Sequence, residues 1–131
     1  MVEQVRPFLM FGGQAEEAMN LYVSLFPGAE ILEVARYGPG SPGKEGALLK
    51  GPFRVAGQEV LCTDSTVEHA FGFTPSMSLF VDCEGYDEIA RLAAALREGG
   101  EVLMELSDYG FSRQFTLLND RFGVSWQLNL P

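Results

Sequence analysis

The chain repeats itself, and the repeat limits what it can fold into. A shift of 71 positions lays Leu9 on Phe80, Glu17 on Glu88, Leu21 on Leu92, Leu25 on Leu96, Gly28 on Gly99, Glu30 on Glu101 and Ile31 on Val102. Further along the offset falls to 66 and places Gly57 on Gly123, as a loop five residues shorter in the second half would produce. Whatever the first half forms, the second half is expected to form again.

Hydrophobic periodicity says what is repeated. Val5–Phe11 (VRPFLMF) is a short apolar run that reads as a buried strand, broken by Gly12-Gly13. From Gln14 the period changes: Ala15, Ala18, Met19, Tyr22 and Leu25 recur at helical spacing, Glu16 and Glu17 sit in the first turn, and Pro27-Gly28 ends the helix. Strands are expected over 30–37, 47–56 and 58–63, with the loop GPGSPGKEG after the first and a tight turn at Gly57 between the other two. A polar loop follows. The plan then restarts with a strand at 76–83, a helix at Tyr86–Arg97 carrying Ile89, Leu92, Ala93 and Leu96 on one face, a stop at Gly99-Gly100, and strands at 101–107, 111–118 and 124–130. The reading is α+β: two βαβββ modules, at about 1–66 and 75–131, within one domain covering 1–131.

Composition narrows the partners. The 131 residues carry 9 basic and 18 acidic side chains, a net charge of −9, which disfavours nucleic acid and anionic membrane surfaces. No apolar run approaches the roughly 20 residues that span a bilayer, and the N-terminus lacks the marks of a secretory signal, so a cytoplasmic protein is expected. Cys62 and Cys83 lie 21 apart in apolar stretches, without C-x-x-C spacing, and read as buried reduced thiols.

Chemistry-bearing residues are few. His69, the single histidine, stands in DSTVEHAFGF near Asp64 and Glu68 and is open to three roles: a solvated residue, a pocket residue that moves protons, or a metal ligand. Arg36 either offers a bidentate fork to an anionic ligand or snorkels from a strand edge. Phe53, Phe71, Phe73, Met104 and Tyr109 are candidates for the apolar wall of a small-molecule cavity, or for core, since the chain has ten Phe. On the last strand neighbours face opposite ways, so if Gln127 faces a cavity Ser125 and Asn129 join it and Trp126 packs outward against a helix or a dimer partner. Ser112-Arg113 and Asp120-Arg121 read as surface or turn pairs. No G-x-S-x-G elbow or other nucleophile motif is present.

The segment FLMFGGQAEEAMNLYVSLFPGAEI resembles the N-terminal motif of the PhnB-like proteins, and GFSRQFTLLNDRFGVSWQLNLP resembles their C-terminal signature around D-R-F-G-V-S-W-Q. These proteins are a branch of the vicinal oxygen chelate superfamily, which includes glyoxalase and bleomycin-resistance proteins. The resemblance implies paired βαβββ half-barrels, a ligand on the concave sheet face and a homodimer. It also implies where metal-dependent relatives place their ligands: Pro7 or Phe8, Leu61 or Cys62, Ser76, and Gln127. That is not the usual set of His, Glu and Gln, so no metal cofactor is expected, with His69 and Gln127 the residual candidates. The pocket candidates are therefore Arg36, Phe53, Cys62, Asp64, His69, Phe71, Phe73, Ser76, Met104, Tyr109 and Gln127. The expected function is metal-free binding of a small molecule. The alternatives are an enzyme of the superfamily, using a divalent metal or acid–base chemistry through Glu59, Asp64, His69 or Gln127, and an interaction module with a filled cleft. A 3-demethylubiquinone-9 3-methyltransferase label attached to the family finds no support in the residues, because no glycine-rich turn of the S-adenosylmethionine-binding kind is present.

Overall fold

A computed structural model describes residues Met1–Pro131, which divide into two compact units, Met1–His69 and Ala70–Pro131. The first contains β1 (Phe8–Phe11), α1 (Ala15–Leu25), β2 (Glu30–Ile31), β3 (Ala35–Arg36), β4 (Leu48–Val55) and β5 (Gln58–Asp64). Its sheet runs β1-β5-β4-β2, with β3 also on β4. β1 is parallel to β5, and the other pairings are antiparallel. A parallel pair needs a long crossover, and α1 with the intervening strands supplies it.

Alternation decides which face of this sheet the helix covers. On β5, Val60, Cys62 and Asp64 are buried while Glu59, Leu61 and Thr63 are half-buried. The buried set joins Leu9 and Phe11 of β1 and Phe53 and Val55 of β4 beneath Ala15, Ala18, Met19 and Tyr22 of α1. Tyr22 lies tilted on Phe53 with centroids 6.0 Å apart. Prolines trim the expected strands. β1 begins at Phe8 because Pro7 offers only its carbonyl, which accepts from the Leu61 N–H. The strand expected over 30–37 splits in two: Pro52 accepts from the Leu32 N–H but has no N–H to return, and the ladder lapses until Ala35.

The second unit contains β6 (Leu79–Asp82), α2 (Tyr86–Arg97), β7 (Glu101–Ser107), β8 (Gln114–Asn119) and β9 (Ser125–Leu130). The sheet order is β6-β9-β8-β7, with β6 parallel to β9 and the others antiparallel. Leu118, Trp126, Leu128 and Leu130 are buried, as are Ile89, Leu92, Ala93 and Leu96 of α2. The fold is thus α+β: each unit runs strand, helix, then strands, three in the second unit and four in the first, where the strand expected over 30–37 is split into β2 and β3. The first strand of each unit closes in parallel against the last. Gly100 is obligatory: a Cβ there would lie 2.1 Å from the Asn119 carbonyl oxygen. Neither helix is long and apolar enough to cross a membrane.

Candidate functional site

In the first unit the structure assigns most of the sequence candidates to scaffold roles. Asp64 is buried, and its Oδ1 accepts from the N–H groups of Gly13 and Ala15 at 2.9 Å each while Oδ2 accepts from Leu48 N–H at 2.9 Å. Gln14 makes no side-chain cap for α1. A carboxylate 49 residues away therefore does the capping, placing its charge at the positive end of the helix. It is a cap, not a pocket acid. Phe53 and Cys62 point into the core beneath α1 and are likewise not pocket walls. Burial and the neighbouring Asp64 push the Cys62 thiol up to about 12.

Arg36 offers no open fork. Its Nε and Nη2 donate to the two carboxylate oxygens of Glu16 at 3.1 and 2.5 Å, and this pairing holds the guanidinium pKa up. Glu59 is committed as well. It stands in a cross-strand row of alternating charge on the face opposite α1, with Arg6 Nη1 at 2.7 Å, Arg54 Nη2 at 3.8 Å, and Glu30 at 2.6 Å from the far side of Arg54. His69 is exposed, with its Nε2 2.8 Å from Ser65 Oγ.

The second unit brings polar and apolar candidates onto one surface. The register puts Phe80, Gln127, Leu117 and Met104 in one row across the sheet, and Asp82, Asn129, Phe115 and Ser107 in the next. On β6, β8 and β9 alternation places Phe80, Gln127, Leu117, Asp82, Asn129 and Phe115 on the face away from α2, because their neighbours Trp126, Leu128 and Leu118 are the buried ones. β7 shifts register on either side of Met104, so Met104 and Ser107 join these rows by pairing alone. Tyr109 and Phe111, from the β7–β8 loop, close over this surface. They stack with centroids 6.1 Å apart, and each meets Phe115 edge-on, at 6.3 and 5.0 Å. Tyr109 Oη is fixed by the Glu105 carbonyl at 2.5 Å. Ser125 Oγ lies 2.7 Å from Ser78 Oγ in the third row. Phe71 and Ser76 are exposed and Phe73 half-buried in the segment leading to β6, where Ser76 Oγ lies 2.5 Å from Thr74 Oγ1. Phe80, Asp82, Phe111, Phe115 and Leu117 escaped the sequence reading, though the alternation of FTLLN and SWQLN holds the signal once their register is known.

The signature D-R-F-G-V-S-W is a structural knot. Asp120, expected in a surface or turn pair, is 3% exposed. Its Oδ1 accepts from Phe122 and Val124 N–H at 2.9 and 3.0 Å, and its Oδ2 from the Trp126 indole N–H at 3.0 Å. That carboxylate ties the β8–β9 turn to the core and points Trp126 inward toward α2, leaving Gln127 on the opposite face.

The donors at the implied metal positions do not suit a divalent ion. In the first unit Phe8 and Leu61 occupy the face away from α1, and the Cys62 thiol is turned into the core in its protonated form. In the second unit Gln127 is flanked by Phe80 and Leu117. No three His, Cys, Asp or Glu side chains gather as a metal-holding group, and one neutral amide is a poor substitute.

The family model described as 3-demethylubiquinone-9 3-methyltransferase matches residues 3–129. The chain is a PhnB-like protein of the vicinal oxygen chelate superfamily. A solved PhnB protein from Bacillus cereus, described as a putative 3-demethylubiquinone-9 3-methyltransferase, is 50% identical with a TM-score of 0.96, covering 98% of this chain and 100% of that one. Protein PA1353 from Pseudomonas aeruginosa is 26% identical with a TM-score of 0.85, covering 98% of each chain. The fosfomycin resistance protein FosX from Listeria monocytogenes, solved with Mn(II) and sulfate, shares the fold at 12% identity and a TM-score of 0.62, over 100% of this chain and 93% of that one. In this PhnB-like chain the helix-covered faces of both sheets are built as core, while Gln127, Met104 and Tyr109 gather at the other face of the second sheet. His69, Phe71, Phe73 and Ser76 lie in the segment between β5 and β6.

Proposed function

We propose that this PhnB-like protein binds a small organic molecule on the helix-free face of its second sheet, without a metal, and that it works as a homodimer. The observation that carries the reading is the setting of Gln127. Phe80 and Leu117 stand to either side of it, with Met104 beyond, and the amide of Asn129 and the rings of Phe115, Phe111 and Tyr109 lie in and around the next row. Apolar surface with a few fixed polar groups is how small-molecule sites are composed. Acid–base catalysis has lost two of its four candidates, since Asp64 is the cap of α1 and Glu59 is held between two guanidinium groups.

Methyl transfer is disfavoured by the same cap. The backbone N–H groups that follow the first strand are those an S-adenosylmethionine turn would present to its cofactor, and here Gly13 and Ala15 already donate to Asp64.

Elemental analysis tests the metal-free reading. Chelated protein is incubated with zinc, nickel, manganese and iron and then desalted, and no stoichiometric ion is expected to remain. About one ion per chain, lost on Gln127→Ala or His69→Ala, would overturn it in favour of a metalloenzyme. Sedimentation equilibrium tests the dimer, which should give twice the 14.4 kDa chain mass.

A further inference from the structure

We infer that the ligand of the second unit is an organic cation, a protonated amine joined to an apolar or aromatic body. The inference rests on the proposed use of that sheet face and adds the charge of its occupant.

The row that contains Phe115 supplies the chemistry. Phe115 on β8 faces Asn129 on β9, which faces Asp82 on β6. Adjacent strands lie about 4.8 Å apart, so roughly 10 Å of sheet separates the Asp82 backbone from that of Phe115. At one end stands an aromatic cluster in which Phe111, 64% exposed, and Tyr109 still present ring surface to solvent. At the other end Asp82 accepts from Asn129 Nδ2 through Oδ1 at 3.0 Å, which orients the carboxylate and leaves Oδ2 without a protein donor.

A ligand lying along this row meets aromatic faces first and a carboxylate last. Ring faces are negative and attract cations, and the carboxylate does so more strongly. An anionic ligand would meet repulsion from both. The surroundings point the same way, because residues 70–131 hold nine acidic side chains against four basic, a net charge of −5. Arg113, which precedes β8, is engaged elsewhere: its Nε donates to the Pro131 carbonyl at 2.6 Å and its guanidinium lies 5.7 Å from the Tyr86 ring centroid. This guanidinium is tied to the chain's last residue.

Three probes of one shape separate the charge from the surface: phenylbutylamine, phenylbutanol and phenylbutyrate, titrated into isotope-labelled protein while amide shifts are followed. The amine is expected to bind about tenfold or more tightly than the alcohol, and the butyrate more weakly than either. Shifts should concentrate on β6, β8, β9 and the 108–113 loop. Asp82→Asn, an exposed and nearly isosteric change, should erase the advantage of the amine and leave the alcohol unaffected. Phe111→Ala should weaken both. Equal binding of all three probes at this face would overturn the cation while preserving small-molecule binding there. Amine selectivity that survives Asp82→Asn would overturn the assigned carboxylate. Failure of all three to shift the face would overturn the underlying reading as well.

Discussion

Asp120 shows how much one buried carboxylate can hold. Three donors converge on it, two from the turn backbone and one from the Trp126 indole. Asp120→Ala strands all three, and leaving buried partners unsatisfied costs about 1–3 kcal/mol each at most, so a loss of about 3–5 kcal/mol is expected. Asp120→Asn keeps an acceptor and should lose less. Denaturant titration of both variants measures this, and equal losses would contradict a role based on hydrogen bonding. The two thiols illustrate the opposite case, groups kept inert by burial. Cys62 is raised from 9.0 to about 12 by burial and then by Asp64, and Cys83 to about 11 by burial and then by Glu88. Native protein at pH 8 should therefore resist alkylation until it unfolds. In the unfolded chain the thiols deprotonate near their ordinary value while the folded chain still holds its protons. Stability from this source is thus complete below about pH 9 and drains away between about pH 9 and pH 12. A melting temperature insensitive to pH across that window would contradict the assignment.

Among the elements, the β4–β5 hairpin carries a correctable strain. Its two turn residues, Ala56 and Gly57, both have positive φ, 47° and 81°, as a two-residue turn matching strand twist requires. Gly57 accepts this freely, whereas Ala56 is the chain's one non-glycine residue in that region. Ala56→Asn is expected to stabilise by about 0.5–1 kcal/mol and Gly57→Ala to destabilise by about 1 kcal/mol. Thermal melts of the pair decide the matter, and a destabilised Ala56→Asn would argue against the turn geometry. The glycine- and proline-rich loop after β3 is likewise specific. The Tyr37 hydroxyl donates to the Asp64 carbonyl at 3.0 Å, and the ring lies against Gly43 so closely that a Cβ there would come within 2.5 Å of its atoms. Composition marks that segment as loop but is silent about the ring it closes on.

For the whole molecule the dominant fact is charge. At −9 the chain repels itself, and its exposed ion pairs return little, about 0–1 kcal/mol each. Raising salt from about 10 to about 150 mM should raise the melting temperature by a few degrees, because screening relieves more repulsion than attraction. A fall instead would mean that the row Arg6–Glu59–Arg54–Glu30 contributes more than exposed pairs normally do.

Much of this architecture is written locally. Helical spacing and the Gly99 stop marked α2 from Tyr86 to Arg97 residue for residue, and the 71-residue echo implied that both units share one element order. Apolar period and backbone stereochemistry act over a few neighbouring residues, so they can be read in one dimension. The roles of the carboxylates could not. Asp64 in a polar stretch looked like a pocket acid, and Asp120 beside Arg121 looked like a surface pair, because the N–H groups that claim Asp64 lie up to 51 residues away and those that claim Asp120 appear only once its turn has closed. Arg36 found Glu16 20 residues upstream for the same reason. The face shared by Gln127, Asn129, Phe115 and Asp82 depends on cross-strand register, and register is set only when strands distant in sequence pair and a helix covers one side of them.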